Sequence, residues 1–225
     1  MNKRSFSFCE ASTQADFIGI DLTASDRKPT AYAGLGADLR LCCLGFLTSD
    51  DAIIDAITEY MPRLVAIDAP LSLPSGMDCL EEACLCQRLS PLKGRACERE
   101  LARLGIPCYF TTKKSIIKRM VYRGINLKRE LCRRGYEVIE IYPYASKVRI
   151  FGKPIPPKTR ARGRAFLRER LADLIPDLAP YISKLNHDLC DALIAAYTAY
   201  LHSRSETEAV GDPEEGLLWI PLQMV

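Results

Sequence analysis

The sequence lacks the long hydrophobic runs that mark membrane proteins and secreted precursors. No stretch comes near the roughly 18 consecutive apolar residues that a membrane-spanning helix needs. The opening segment, MNKRSFSFCEASTQADF, carries positive charge but has no apolar core of the kind found in secretory signal peptides. These two absences predict a cytoplasmic protein that does not enter a membrane.

The sequence also lacks the paired C-x2-C spacings that are typical of zinc knuckles, although it holds ten cysteines, a high count for the cytoplasm. Because a reducing cytosol disfavours a disulfide scaffold, two interpretations stay open: buried or paired thiols, and a metal centre. The candidates for a zinc ion or an iron–sulfur centre are Cys79, Cys84, Cys86 and Cys97.

Positive charge is concentrated in one part of the chain. Residues 112–170 hold 18 lysines and arginines against 4 aspartates and glutamates, a local net charge of +14. Because the whole chain carries +3, the remainder carries −11. Such a block predicts a phosphate-rich partner, DNA or RNA, and the alternative is a solvated surface. The candidate nucleic-acid contacts are Lys113, Lys114, Lys118, Arg119, Lys158 and Arg164.

The hydrophobic pattern predicts an α/β domain, and the length of 225 residues fits one large domain or one with an insertion. The first three strands form an antiparallel meander because no helix fits between them, and a capped helix makes the fourth strand parallel to the first. The predicted strands span 17–22, 30–35, 39–47, 63–68 and 136–141. The predicted helices span about 50–60, 95–105, 115–134, 163–174 and 187–202.

This order of elements, three antiparallel strands and then parallel strands alternating with helices, is that of a ribonuclease H-like fold with a mixed sheet. We expect a core in residues 17–74 and 136–225, with a helical, cysteine-rich insertion at 75–135. Near the end, SRSETEAVGDPEEG is predicted to be a turn-rich linker. LLWIPL is predicted to be an edge strand, because Pro221 cannot donate a backbone hydrogen bond.

Four segments place a carboxylate where a divalent cation could be held. They are FIGIDLTAS with Asp21, LVAIDAPLSLP with Asp68, YEVIEIYP with Glu140, and NHDLCDALIAAYTAY with Asp188 and Asp191. Acids in strands are disfavoured, and two acids at corresponding strand ends repel unless a cation or proton lies between them. Mg²⁺ and Mn²⁺ prefer carboxylate and water oxygens. The pattern therefore predicts a Mg²⁺ or Mn²⁺ site.

Several of these acids also have a purely structural interpretation. Asp21 can cap a turn, and Asp188 lies in the first turn of its helix, where negative charge favours the helix dipole. Asp191 is the stronger metal candidate of the helical pair, because small neighbours leave room for close packing on the sheet. His187 can add a ligand or carry a proton.

The reaction class that these residues predict is metal-assisted hydrolysis of a phosphodiester bond. Two metal ions about 4 Å apart can activate a water and stabilise the leaving oxygen of an in-line displacement. Lys147, Lys158 and Arg164 are candidates for neutralising the phosphate, with simple steering as the alternative. Glu140 is either a further ligand or the partner of a basic residue such as Lys147. The predicted catalytic residues are Asp21, Asp68, Glu140, Lys147, Asp188 and Asp191, of which Asp21, Asp68, Asp188 and Asp191 are the metal ligands.

Five stretches in combination resemble one family. They are GIDLT, AIDAPLSLP, GRACERELARLGIPCYFTTKKS, EVIEIYPYASK and HDLCDALIAAY, spread over residues 17–222. The family is domain of unknown function 429, and the resemblance implies a predicted nuclease of the ribonuclease H-like fold. The D-x-x-D on an alanine-rich helix is also similar to the resolvase branch of that superfamily, which would need two sites and therefore a homodimer. Arg95 and Glu98 belong to the family pattern without an assigned role.

Two other functions stay open. An actin-like nucleotide phosphotransferase shares the sheet, but it needs two such domains, and GIDLTAS lacks the glycine after Asp21 that lets a phosphate approach. A non-catalytic nucleic-acid-binding module would keep the basic block, but it leaves four or five acids unexplained, since buried unpaired carboxylates cost several kcal/mol each. The favoured prediction is therefore a divalent-metal-dependent nuclease.

Overall fold

A computed structural model of the chain describes residues 8–9, 14–25, 28–157 and 159–223. Within these residues one mixed sheet of eight strands is flanked by helices. The strands are β1 (Phe8–Cys9), β2 (Phe17–Asp21), β3 (Thr30–Leu35), β4 (Leu41–Leu47), β5 (Leu64–Asp68), β6 (Val138–Ile141), β7 (Thr207–Asp212) and β8 (Gly216–Pro221). The helices are α1 (Asp50–Tyr60), α2 (Ala96–Arg103), α3 (Lys118–Arg133), α4 (Pro143–Phe151), α5 (Ala161–Leu174) and α6 (His187–Ser203), with a 3-10 helix at Pro176–Lys184.

The strands lie in the order β1-β4-β3-β2-β5-β6-β8-β7. Strands β2, β3 and β4 form an antiparallel meander, while β2, β5, β6 and β8 are parallel to one another. Strand β7 pairs antiparallel with β8. The predicted mixed sheet of antiparallel and then parallel strands is therefore confirmed. No helix in the described part of the chain has the length and apolar character needed to cross a bilayer.

Helices cover both faces of the central strands, which is why those strands read as continuous apolar runs. On one face, the apolar side chains of β5 and β6 pack against alanines of α6. On the other face, Ile20 and Ile67 pack with apolar side chains of α1 and α3. Because side chains alternate along a strand, each residue of β2, β5 and β6 points to one of these two helical layers.

Helix α6 lies directly on β2, and Gly19 makes this possible. A Cβ at position 19 would collide with backbone atoms of Ala192 and Ala196. Asp21 is two residues beyond Gly19 and so shares its face, and Asp191 precedes Ala192 in the helix. The close contact between helix and strand therefore brings Asp191 to the face on which Asp21 lies.

The end of the chain differs from its prediction. The segment expected to be a linker contains β7, and β8 lies between β6 and β7 instead of at the sheet edge. The pairing of β8 with β6 covers only Leu218 and Trp219, so Pro221 lies beyond it. The proline therefore interrupts no hydrogen bond to β6. Strand β7 was missed because Val210 is its only fully buried residue.

Candidate active site

Asp21 and Asp68 are the last residues of two adjacent parallel strands, and they pair directly in the register of β2 and β5. Neighbouring strands lie about 4.8 Å apart, and paired residues of parallel strands point to the same side of the sheet. Both residues are half-buried. The structure thus brings these two predicted ligands together, on the face that α6 covers.

Asp191 forms a buried ion pair with Lys147. Lys147 Nζ lies 2.6 Å from Asp191 Oδ1, and the two side chains are 4% and 1% exposed. Lys147 belongs to α4, which begins directly after β6 with Pro143 in its first turn. The buried hydroxyl of Thr198 also donates to Ser146 Oγ at 3.0 Å, which joins α6 to α4. The predicted catalytic lysine and the predicted helical ligand therefore occupy one site.

A cavity of about 300 Å³ connects this ion pair to Asp68 at the end of β5, whereas Asp21 does not line it. Its polar lining includes Asp68, Lys147 and Asp191, so three of the predicted residues face one space. Tyr142 and Tyr144, which flank the first residue of α4, form another part of the wall. The remaining lining is the segment between α4 and α5, together with one buried leucine of α5.

Asp188 occupies a different position from Asp191. Asn186 caps α6 by accepting a hydrogen bond from Leu189 N at 2.9 Å, so Asp188 lies in the first turn. Asp188 Oδ1 lies 2.7 Å from His187 Nδ1. Asp188 is not among the residues that line the 300 Å³ cavity. Its negative charge therefore stabilises the N-terminus of α6, at the border of the site.

Glu140 lies on the opposite face of the sheet from Asp68. It pairs with Ile67 in the register of β5 and β6, whereas Asp68 pairs with Ile141. Arg95 Nη2 donates to Glu140 Oε1 at 2.6 Å, and Arg95 Nη1 and Leu71 N donate to Glu140 Oε2 at 2.8 and 2.7 Å. The structure therefore does not bring Glu140 to the predicted metal ligands. Glu140 instead forms an ion pair, as the second sequence interpretation predicted, but its partner is Arg95 and not Lys147.

Arg95 and Glu98 form the centre of a buried polar network. The Glu98 carboxylate accepts hydrogen bonds from Arg95 Nε at 3.0 Å and from both the backbone N–H and the hydroxyl of Thr111, at 2.7 and 2.5 Å. It also accepts one from Arg95 N at 3.0 Å, which closes the capping box of α2. Burial by itself lowers the pKa of the Arg95 guanidinium, but the charge and hydrogen bonds of Glu140 outweigh this and raise it well above its ordinary value. These two residues of the family pattern therefore attach α2 and the following loop to β6.

Arg123 holds the loop that follows Asp21. Its Nη1 donates to Thr23 O at 2.8 Å and to Ser25 O at 3.2 Å, and its Nε donates to Asp50 Oδ1 at 2.8 Å. The side chain is 7% exposed. The sequence offered no signal for this role, because Arg123 is one of many basic residues in α3.

The predicted nucleic-acid contacts fall into two places. Lys113 and Lys114 line a second, larger cavity of about 790 Å³, to which Arg88 and Lys93 also contribute. Lys118 Nζ lies 3.4 Å from Glu81 Oε2, in the segment that also contributes Arg88 to that cavity. The other candidates are Arg119, which is exposed on α3; Arg164, which donates to Thr159 O beside the smaller cavity; and Lys158, which lies outside the described residues.

Three of the four candidate cysteines lie close together in the structure. The sulfur atoms of Cys79, Cys84 and Cys86 all lie within 4.8 Å of one another. In the described part of the chain this is the one group of three or more cysteine, histidine or acidic side chains that is close enough to hold a metal ion. Hydrogen bonds with the backbone of Asp78 and Cys79 lower the pKa of Cys86 to about 7.

Cys97 does not belong to this group, which corrects the prediction. It is fully buried in α2, in the apolar cluster between α2 and the β7–β8 hairpin. A Cβ at Gly211 would lie 2.8 Å from the Cys97 Cβ, so the hairpin packs tightly over it. Burial raises the pKa of the Cys97 thiol to about 12, as expected of a structural cysteine.

Neither the role of Tyr142 nor helix α4, which carries Lys147, was predicted from the sequence. A signal for α4 was available in IYPYASK, where a proline follows the end of a strand at a position suited to the first turn of a helix. Tyr142 donates its hydroxyl to Pro107 O at 3.0 Å, and the residue also lines the cavity. Only the fold shows that this residue lines the same cavity as Asp68.

Comparison with known proteins identifies a family. Residues 19–216 match the family described as Protein of unknown function (DUF429), a region that runs from within β2 to the first residue of β8. No curated protein and no solved structure gives a significant match. The matched region contains all the acidic residues described above, together with Lys147 and the cysteine cluster. The chain therefore belongs to the DUF429 family.

Proposed function

We propose that this protein is a divalent-metal-dependent nuclease of ribonuclease H-like fold, which hydrolyses phosphodiester bonds in DNA or RNA. The observation that carries the proposal is the direct pairing of Asp21 and Asp68 at the carboxyl ends of adjacent parallel strands. Helix α6 adds Asp191 on the same face, because its backbone lies against Gly19. Carboxylates from three separate elements at one sheet edge supply the oxygen ligands that a hard divalent cation prefers.

The donor set suits Mg²⁺ or Mn²⁺. Two carboxylates at paired strand ends repel each other unless a cation or a proton lies between them, and hard divalent cations bind carboxylate oxygens. Asp21, Asp68 and Asp191 would hold the ion, with Asp188 at the border of the site. The oxygens of the three aspartates do not all lie within 4.8 Å of one another, so the side chains would have to turn towards the ion when it binds. When bound, the ion would activate a water and stabilise negative charge on the phosphate.

Lys147 has two tasks in this proposal. Its ammonium group lies 2.6 Å from the buried carboxylate of Asp191, so it compensates the charge of that carboxylate and orients it. The same lysine lines the cavity, where a fixed positive charge favours the phosphate of a substrate as negative charge develops on it. Arg164, which donates to Thr159 O on the cavity wall at 2.9 Å, adds positive charge near the entrance.

The dimensions of the site restrict how the substrate binds. A cavity of about 300 Å³ is at the lower end of the range for ligand sites, so it accepts a single nucleotide unit and not a duplex. Tyr142 and Tyr144 offer ring surfaces on which a base can stack. The rest of the polymer would follow the exposed basic residues outside the cavity, and its affinity should fall with increasing salt.

The test is cleavage of labelled single-stranded, duplex and four-way-junction DNA and RNA, with Mg²⁺, with Mn²⁺ and with EDTA. We expect metal-dependent cleavage that is lost in Asp21→Asn and in Asp191→Asn. The matched control is Asp55→Asn, because Asp55 is an exposed acid of α1, which packs on the opposite face of the sheet from α6. Since Asp191 is buried, circular dichroism must show that its variant folds, and half-buried Asp21 provides the independent variant.

The Lys147–Asp191 pair also favours one alternative, a non-catalytic nucleic-acid-binding module. In that case the lysine would neutralise the acid permanently and no cation would be needed. Tight, salt-sensitive binding without cleavage under any metal would overturn the nuclease proposal and support the module. Hydrolysis of a free nucleoside triphosphate without cleavage of nucleic acid would instead favour a phosphotransferase.

A further inference from the structure

The long segment between β5 and α2 has no helix or strand, although it packs on the domain. It covers residues 69–95. Segments longer than about 12–15 residues without secondary structure are uncommon in compact domains and need other interactions to hold them. Leu71 and Leu80 in this segment are buried, but Leu85 and Leu89 are 91% and 79% exposed, so apolar burial holds only part of the segment.

The three thiols of the segment have the spacing of a metal site. Cys79 Sγ and Cys86 Sγ lie 3.9 Å apart, and Cys84 completes a group within 4.8 Å. Ligands at about 2.3 Å from a tetrahedral zinc ion lie roughly 3.8 Å from one another, whereas the sulfur atoms of a disulfide lie about 2.05 Å apart. The separation in this cluster is therefore close to that of a thiolate cage.

We propose that Cys79, Cys84 and Cys86 bind one Zn²⁺ ion through their thiolates and leave the fourth position to a water or a small external ligand. Within the described residues, no fourth cysteine, histidine or acid joins the group. Their spacing, C-x4-C-x-C, differs from the paired C-x2-C knuckles of common zinc sites. The proposal does not depend on the nuclease function, because the acids at the strand ends do not take part.

The surroundings of the cluster are suited to a negatively charged metal site. Three thiolates and one Zn²⁺ carry a net charge of −1, which nearby cations stabilise. Lys113 Nζ donates to the Cys84 carbonyl, and Lys118 lies 3.4 Å from Glu81 in the same segment. Thus basic residues at and before the start of α3 already contact the segment that holds the thiols.

The ion would fix the position of the segment on α3. Leu80, next to Cys79, is fully buried, and its N–H donates to Tyr122 Oη at 2.6 Å. Cys86 lines the 790 Å³ cavity, to which Arg88 and Lys113 also contribute. Binding of zinc would therefore order one wall of that basic cavity and is expected to reduce the local mobility of residues 77–93.

The first experiment measures the metal content of the full-length protein by inductively coupled plasma mass spectrometry. The protein is purified under reducing conditions without chelator. We expect about one zinc per chain, and below about a tenth of that in Cys84→Ser and Cys86→Ser. The control is Cys132→Ser, because Cys132 is an exposed thiol of α3 outside the cluster and should not affect zinc content.

A second measurement needs no variant and so does not depend on whether the serine substitutions fold. Replacing zinc by Co²⁺ in the wild-type chain should produce the intense near-ultraviolet thiolate-to-cobalt absorption of a tetrahedral site, and a thiol-blocking reagent should release the ion. Failure of the reduced chain to take up either metal would overturn the proposal. So would iron in place of zinc, or a Cys79–Cys86 disulfide in the freshly isolated protein.

Discussion

Lys147 and Asp191 form an ion pair almost completely shielded from solvent, with a separation of 2.6 Å, and it joins α4 to α6 at the candidate active site. A buried pair of this kind contributes little net stability, but removal of one partner leaves an uncompensated charge. The pair therefore connects the folding of the site to its chemistry. A cation bound by Asp191 and the ammonium group of Lys147 would compete for the same carboxylate.

Replacing Lys147 by methionine should destabilise the protein and make its stability depend on metal. Loss of the ammonium group removes the buried counter-charge 2.6 Å from Asp191, which costs about 3–5 kcal/mol. Mg²⁺ at millimolar concentration should recover more of the free energy of unfolding in Lys147→Met than in the wild type, because a ligand that binds the folded state stabilises it. Urea denaturation with and without Mg²⁺ measures this. The control is Lys114→Met, at an exposed position. Equal effects of Mg²⁺ on all three proteins would contradict a metal site at Asp191.

Replacing Glu140 by glutamine should reduce stability without removing metal dependence. Glu140 accepts three hydrogen bonds from Arg95 and Leu71 on the face of the sheet opposite Asp68, so its charge serves the buried network. Loss of that charge should cost several kcal/mol, on the order of 3, because Arg95 loses its main counter-charge. Chemical denaturation and the cleavage assay together test this. A Glu140→Gln protein of normal stability that no longer cleaves would show instead that Glu140 acts in catalysis.

Adding one methyl group at Gly19 should disrupt the candidate site. The Cβ of Gly19→Ala would collide with the backbone of α6 at Ala192 and Ala196, and backbone atoms cannot move away locally. Forced overpacking of this kind costs about 1–3 kcal/mol or more, and the shift of α6 should move Asp191 away from the strand ends. The control is Gly36→Ala, where the closest atom belongs to the side chain of Asp38. Thermal unfolding of both variants provides the comparison, and equal midpoints would show that the helix does not rest on β2.

His202 should make the protein less stable in acid. Burial lowers the pKa of this side chain below 6.5, and the charge of Glu137 opposes the shift only in part. The unfolded chain therefore binds a proton on this ring at a higher pH than the folded chain does. The stability that the neutral ring contributes is complete above pH 6.5 and is lost as the pH falls from 6.5 through the lowered folded-state value.

The measurement is the urea midpoint from about pH 7.5 to about pH 5, for the wild type and for His202→Gln. Glutamine can keep a hydrogen bond to Thr207, whose hydroxyl lies 2.8 Å from His202 Nδ1, without taking up a proton. The decrease in stability towards low pH should be smaller in the variant. Parallel curves would mean that the protein's acid sensitivity has another origin.

Most of the sheet could be predicted because its central strands are buried on both faces. Strands β2, β3 and β5 are short apolar runs, and their predicted bounds lie within one residue of the observed ones. Strand β7 has a single fully buried residue, Val210, so it has no comparable pattern and depends on pairing with β8. Helix α4 was missed because it follows β6 with no more than one residue between them.

The candidate site was predictable in part because two of its acids end strands that are buried on both faces. An acid at the end of an apolar strand is conspicuous in a sequence, so Asp21 and Asp68 could be identified and the alignment of their strands inferred. Glu140 has the same local pattern, but its partner Arg95 is 45 positions away in the chain. Whether an acid meets a metal or an arginine depends on what packs over its face of the sheet, which the local sequence does not contain.

By itself the sequence determined what depends on neighbours along the chain: most of the strands and helices, the basic block and the family. Only the tertiary structure decided which of these residues meet. It placed Asp191 beside Lys147 and Glu140 against Arg95, and it grouped three cysteines while separating Cys97 from them. The physical reason is that propensity and periodicity act over a few residues, whereas ion pairs and metal sites form between side chains that the packing of whole helices on the sheet brings together.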